Sequence, residues 1–217
     1  AAEWAAAAYD YNAVRWSSEP DGNLLGIGPS VSNPLTGEII SADVVNKLLA
    51  IKLGYNYRKL YGYTEDNDPL MQYITNLTLH EVGHVLGLRH NFRGSYLYSP
   101  DEIHDKNITG NVLMSSVMDY DPINIAPEGV EQGIYFSTEP GVYDKWAVKF
   151  GYTPNLTDEE RTALLQQSVK RELTFGTDDD AMSYPGNNID PRTKRYDMSN
   201  DPIGYAEDIV KIVDQKI

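Results

Sequence analysis

Three of the chain's four histidines, with one glutamate among them, fall in the stretch His80-Glu81-Val82-Gly83-His84-Val85-Leu86-Gly87-Leu88-Arg89-His90. On a helix, residues four apart are just over one turn apart, so His80 and His84 project from one face with their imidazoles converging. Neutral imidazoles at that spacing make a donor pair for a borderline-soft cation such as Zn²⁺. Glu81 lies roughly 100° round from His80. It is near such a cation but badly placed to bind it alongside both histidines, which is where a general base for an activated water belongs. Gly87 lacks a Cβ and can take the left-handed conformation that ends a helix and turns the chain back. That turn can bring His90 round as a third ligand. A fourth position left for water marks a catalytic zinc site rather than a structural one.

The elements that must position these residues can be read on either side. Asp68-Pro69 has the form of an N-cap followed by proline at the first helical position, opening a long helix through Ile74, Leu77 and Leu79. Leu79, Val82 and Leu86 fall opposite the histidines and are expected to fix that helix to a core. Upstream, Ala1–Tyr9 reads as an alanine-rich helix and Ala13–Trp16 as a short strand. Residues 21–34 read as turn and loop, and Leu35–Val45 as a turn feeding a β-branched strand. Lys47–Tyr61 reads as a helix that Gly54 interrupts. Downstream, Asn111–Met118 is expected to form a short helix or turn, and Pro140–Phe150 an amphipathic helix ending at Gly151. Thr157 and Glu160 form a capping-box signal, and a last helix starts near Pro202.

Length and composition bound the rest. A chain of 217 residues fits one domain, or two lobes sharing one cleft. The net charge of −14 argues against a nucleic-acid or anionic-membrane partner. With no cysteine, thiolate metal sites, disulfides and cysteine catalysis are excluded. No apolar run reaches the ~18 residues needed to span a bilayer. The sequence opens inside a helix with no signal peptide, as an excised domain or processed product would. His104, among Asp101, Glu102 and Asp105, reads as a solvated loop histidine rather than a ligand. Asp178-Asp179-Asp180 could supply carboxylates to Ca²⁺, but without EF-hand spacing a solvated acidic surface is the expectation.

The histidine pair, Gly87 and His90, followed by Ser116-Val117-Met118-Asp119-Tyr120, complete the pattern H-E-x-x-H-x-x-G-x-x-H with a downstream Met-turn. On these residues the chain resembles the metzincin clan of zinc endopeptidases. The resemblance implies an α+β, zincin-like fold in a single catalytic domain spanning 1–217. Its upper lobe, 1–90, would carry a twisted sheet and the zinc helix above an irregular, helical lower lobe, 91–217. It implies one catalytic Zn²⁺ on His80, His84 and His90, with Glu81 as general base and Met118 as a hydrophobic floor. Tyr120 would be the phenol that ligates zinc at rest or stabilises the oxyanion. The strand Leu35–Val45 would form the upper rim on which an extended protein or peptide substrate pairs.

Further segments, among them Gly26-Ile27-Gly28-Pro29-Ser30-Val31, His90-Asn91-Phe92-Arg93-Gly94-Ser95 and Tyr143-Asp144-Lys145-Trp146-Ala147, resemble a bacterial branch of exported zinc metalloproteases. That branch includes the protease subunit of an AB5-type enterotoxin, and it implies a secreted, periplasmic or cell-surface location. Two other readings stay open. One is a zinc hydrolase of a non-peptide substrate, since zinc–water chemistry is not peptide-specific. The other is a catalytically idle binding module, against which intact Glu81 and all three histidines argue.

Overall fold

The computed structural model describes residues 12–18, 25–181 and 190–216, so the helix expected over Ala1–Tyr9 lies outside the described residues. Strand β4 (Ile39–Lys47) alternates in burial along its length, turning Ala42, Val44 and Asn46 inward. This is the period-two pattern of a strand with one covered face. Strand β1 (Ala13–Ser17) pairs parallel to it, from Ala13 opposite Asp43 to Ser17 opposite Lys47. On the other side run β2 (Gly26–Ile27) and β3 (Ser30–Ser32), both antiparallel, with Ile27 opposite Val45 and Ser30 opposite Ala42. Pro29 continues the ladder by accepting the Asp43 amide at 3.0 Å.

This arrangement corrects one expectation. The run Leu35–Val45 supplies the central strand, hydrogen-bonded on both sides, and so offers no edge for a substrate. The edge is the shorter stretch at β2, which the glycine- and proline-rich composition of that region disguises as loop.

Helix α1 (Leu48–Tyr61) follows β4 directly and packs on α2 (Pro69–Val85). Gly54 does not interrupt α1; it is where the two helices cross, since a Cβ there would stand 2.7 Å from Leu70 Cδ1. Asp68 caps α2 by accepting the Leu70 amide at 3.0 Å, and Arg58 of α1 pairs with the same carboxylate. The face of α2 that is buried is Gln72, Tyr73, Asn76, His80 and Gly83, whereas Leu79, Val82 and Leu86 are only half-buried. Polar groups hold this helix where apolar ones were expected. Gln72 Oε1 accepts the Tyr135 amide at 2.7 Å, and Asn76 Nδ2 donates to Asp121 at 3.2 Å. The apolar contribution comes from Tyr73, Ala50, Tyr135 and Phe136, which pack together with Leu77 and Tyr57 between α1, α2 and the 123–136 segment.

Residues 111–118 form turns without a helix. Helix α3 (Lys106–Thr109) is a single turn, and α4 (Val142–Tyr152) runs past Gly151. Helix α5 (Asp158–Leu165) opens on the capping box of Thr157 and Glu160, with bonds of 3.2 and 2.9 Å. A short α6 (Asp178–Ala181) and a longer α7 (Pro202–Lys216) follow. Ile103, Leu113, Met114, Ile134, Met198 and Tyr205 form a second core. His104 is buried against it, stacked on Tyr205 at 6.5 Å, rather than solvated as its acidic neighbours suggested. The mixed sheet and the helices make an α+β fold, and no described helix is long and apolar enough to cross a membrane.

Candidate metal centre and active site

Helix α2 carries His80 and His84 on one face and ends where the chain turns at Gly87, whose φ is +84°. The turn returns His90 to the pair, and ring nitrogens of the three histidines all lie within 4.8 Å of one another. Each imidazole is oriented from its far side. His80 Nδ1 donates to the Val117 carbonyl at 2.7 Å, His84 Nδ1 to the Leu88 carbonyl at 3.0 Å, and His90 Nδ1 to Asp178 Oδ2 at 2.8 Å. All three partners are acceptors, so all three protons sit on Nδ1 and every Nε2 presents a lone pair.

His84 Nε2 and His90 Nε2 consequently face each other as two acceptors 3.2 Å apart. That contact repels unless a cation lies between the lone pairs. Two ligands at about 2.0–2.1 Å from a tetrahedral Zn²⁺ stand about 3.3 Å apart, so the separation of this pair fits such an ion. Protonation is disfavoured as well. Burial, reinforced by His84, pushes His80 down to about 3, and burial lowers His84 too, so these two stay in the neutral ligand form further into acid than a free imidazole.

The Met-turn underlies this cluster. Met118 is fully buried, and its Sδ occupies the space that a side chain on Gly83 would need. Gly83, the x of the signature just before His84, therefore admits the thioether beneath the helix. The turn is tied down by Asp144 of α4. One of its oxygens accepts Ser116 Oγ–H at 2.6 Å and the other accepts the Val117 amide at 2.8 Å. Since Val117 also receives the His80 proton, Asp144 orients His80 through one intervening residue.

Glu81 lies outside the metal-ligating cluster, with only 5% of its surface exposed, and lines a cavity of about 560 Å³ with the three histidines and Tyr120. Desolvation alone raises its carboxyl to about 7. Across the cavity β2 crosses α2 closely: a Cβ on Gly26 would stand 2.6 Å from Glu81 Oε1, and one on Gly28 would strike the Glu81 carbonyl. These two glycines let the sheet edge approach the carboxylate. Tyr120 OH donates to His90 Nε2 at 2.9 Å, and burial raises its phenol to about 12, so it keeps its proton near neutrality.

The residues singled out by sequence thus meet at one cavity: His80, Glu81, His84, His90 and Tyr120, with Met118 below. Sequence reasoning missed the roles of five residues. Asp178, taken for solvated surface, holds His90, while its neighbour Asp179 pairs with Arg89 at 3.0 Å. Tyr196, at a φ of +64°, stacks on Tyr120 at 5.7 Å and lines the cavity. Asp144 anchors the Met-turn, and Gly26 and Gly28 shape the rim. No local spacing could reveal Asp178, because its partner lies 88 residues away. Among the described residues the three histidines are the only group of three or more His, Asp or Glu side chains placed to share a metal ion.

Residues 63–217, most of the chain and all of the site except the β2 rim, match a protein-family model described as Met-zincin. No curated protein and no solved structure matches the chain.

Proposed function

The chain belongs to the Met-zincin family, and we propose that it is a zinc-dependent endopeptidase whose base is Glu81. The observation that carries this reading is the convergence of three lone-pair-bearing Nε2 atoms on a cavity that also holds a desolvated carboxyl with no ligand role. When bound by His80, His84 and His90, zinc supplies Lewis acidity toward a carbonyl oxygen and lowers the pKa of water to about 7.

Glu81 takes a proton from the attacking water and returns it to the nitrogen of the leaving amine. A carboxyl at about 7 is matched to both transfers near neutral pH. Tyr120, protonated at that pH, donates its hydroxyl hydrogen to the oxyanion as it develops. The outer edge of β2, at Gly26 and Ile27, borders the cavity, and an extended peptide adding to that edge would run past Glu81. This pairing favours a peptide substrate over a smaller one.

In this reading residues 1–217 form one catalytic domain, with 1–90 above the cleft and 91–217 below. The motifs shared with exported bacterial metalloproteases support kinship with that branch, and an extracytoplasmic location rests on the same resemblance. The test is metal analysis of the purified protein together with mapping of cleavage sites in a mixed, denatured peptide library. About one zinc per chain and peptide-bond cleavage abolished by a chelator are expected; a metal-loaded protein that cleaves no peptide would overturn the proposal.

A further inference from the structure

One turn before His80 on α2, about 6 Å along the helix axis, Asn76 Nδ2 donates to Asp121 Oδ2 at 3.2 Å. Both residues line the cavity that holds the histidines. Three acidic residues line this cavity, Glu81, Asp119 and Asp121, and among the described residues no lysine or arginine lines it. Residues 1–11, 19–24, 182–189 and 217, outside the described residues, contain neither lysine nor arginine, and Arg195, which acts on the Tyr120 phenol, is not among the groups acting on Asp121.

The three carboxyls are not equivalent. Glu81 is committed to proton transfer. Asp119 is turned inward, with one oxygen accepting the Ser95 amide at 3.0 Å and the other the Tyr120 amide at 2.8 Å. Asp121 lines the cavity with one oxygen on Asn76 Nδ2, and no cationic side chain pairs with it. Burial without a cation raises it to about 7. It belongs to no three-ligand cluster, so a metal ion is a poor candidate for the missing charge. The walls nearby are Leu25, Tyr73 and Leu77, apolar surface suited to an aliphatic stem.

We propose that the Asp121–Asn76 end of the cavity is a subsite for the lysine or arginine side chain of a substrate residue next to the scissile bond. An extended chain advances about 3.3 Å per residue, so a subsite one helical turn from His80 lies within reach of a neighbouring residue's side chain. The stem packs on Tyr73 and Leu77 while the cationic head meets Asp121 and restores the charge balance. This assignment rests on the endopeptidase reading for its catalytic consequence, but not for binding.

Two measurements test it separately. The first compares kcat/KM for matched peptides carrying lysine, norleucine or Nε-acetyl-lysine at each position flanking the cleaved bond. Lysine should be preferred over both neutral analogues by about tenfold to hundredfold at one position, the worth of one charge-assisted hydrogen bond. In Asp121→Asn the lysine-to-norleucine ratio should fall toward one. The second measures binding of the same fluorescent peptides to zinc-loaded Glu81→Ala protein by anisotropy, which needs no turnover and should show the same order. Cleavage without lysine or arginine preference would overturn the subsite and leave the endopeptidase reading intact. If no peptide is cleaved, the endopeptidase reading fails and the anisotropy series alone decides the subsite: equal affinity for lysine and acetyl-lysine peptides would reject it. Should Asp121→Asn not fold, the acetyl-lysine comparison on the wild-type protein remains decisive.

Discussion

Replacing Asp178 by alanine should weaken zinc binding without touching a ligand. Its carboxylate accepts the His90 Nδ1 proton at 2.8 Å, with the His90 side chain 17% exposed and that of Asp178 32% exposed. Without that acceptor the His90 proton is no longer held on Nδ1. The ring can carry it on Nε2 instead, turning a hydrogen rather than a lone pair toward His80 and His84. Loss of such an outer partner costs about tenfold to hundredfold in metal affinity, or about 1.4–2.7 kcal/mol. Partial exposure of both groups places the effect toward the lower end, because water can take over some of the hydrogen bonding. Asp178→Asn keeps a neutral acceptor and should fall between wild type and Asp178→Ala. Competition titration against a zinc chelator at fixed pH reads all three. The reasoning is refuted if Asp178→Ala binds zinc as tightly as wild type, or if Asn weakens binding more than Ala does.

Three other outcomes follow from the same geometry. Gly83→Ala should cost about 1–3 kcal/mol of stability, read by denaturant unfolding, because the new methyl occupies the place of Met118 Sδ; an unchanged midpoint would mean that Met118 can move away freely. Tyr120→Phe should lower kcat and kcat/KM together by about 10²–10³ with KM little changed, since the hydroxyl acts on the transition state; a raised KM at constant kcat would make it a binding residue. In the metal-free protein His80 should contribute a loss of stability as pH falls from about 6.5, where an unfolded histidine takes its proton, toward about 3, where folded His80 does, against an opposite contribution from the raised carboxyls of Glu81 and Asp121. The lowered folded pKa means that the unfolded state binds more protons in that window. Thermal melts of wild type and His80→Gln across that window isolate it: the wild type should lose stability relative to the variant as pH falls, and parallel curves would remove the His80 contribution.

What the sequence made legible is what is local. His80 and His84 are fixed by helical spacing, Gly87 and His90 by a turn a few residues long, and the caps at Asp68 and Thr157 by contacts within three residues. Met118 and Tyr120 were found only because their spacing from one another fits a family pattern. Non-local pairings were opaque. The strand run Ile39–Lys47 was visible, but its central place was not, because two of its three partners are the short stretches Gly26–Ile27 and Ser30–Ser32, set among turn-forming residues. Asp178 looked like ordinary acidic surface, and Asp144 stood out only as part of a resembling segment, because their partners, His90 and Ser116, lie far away in the chain. His104 was misread from its charged neighbours, when its environment is set by Tyr205. The buried face of α2 was misjudged for a related reason: Gln72 and Asn76 look solvated until the 121–136 segment arrives to hydrogen-bond them.

The central claim, that Glu81 is a base and not a ligand, is tested most directly by one variant measured two ways. Glu81→Gln preserves shape, removes the ionisable carboxyl and leaves His80, His84 and His90 as they are. Zinc content by elemental analysis should remain at about one per chain, while turnover of a peptide cleaved by the wild-type protein should fall at least ~10²-fold, the lower end of what a positioned general base contributes. Loss of zinc from this variant, or turnover close to wild type with zinc in place, would contradict the account.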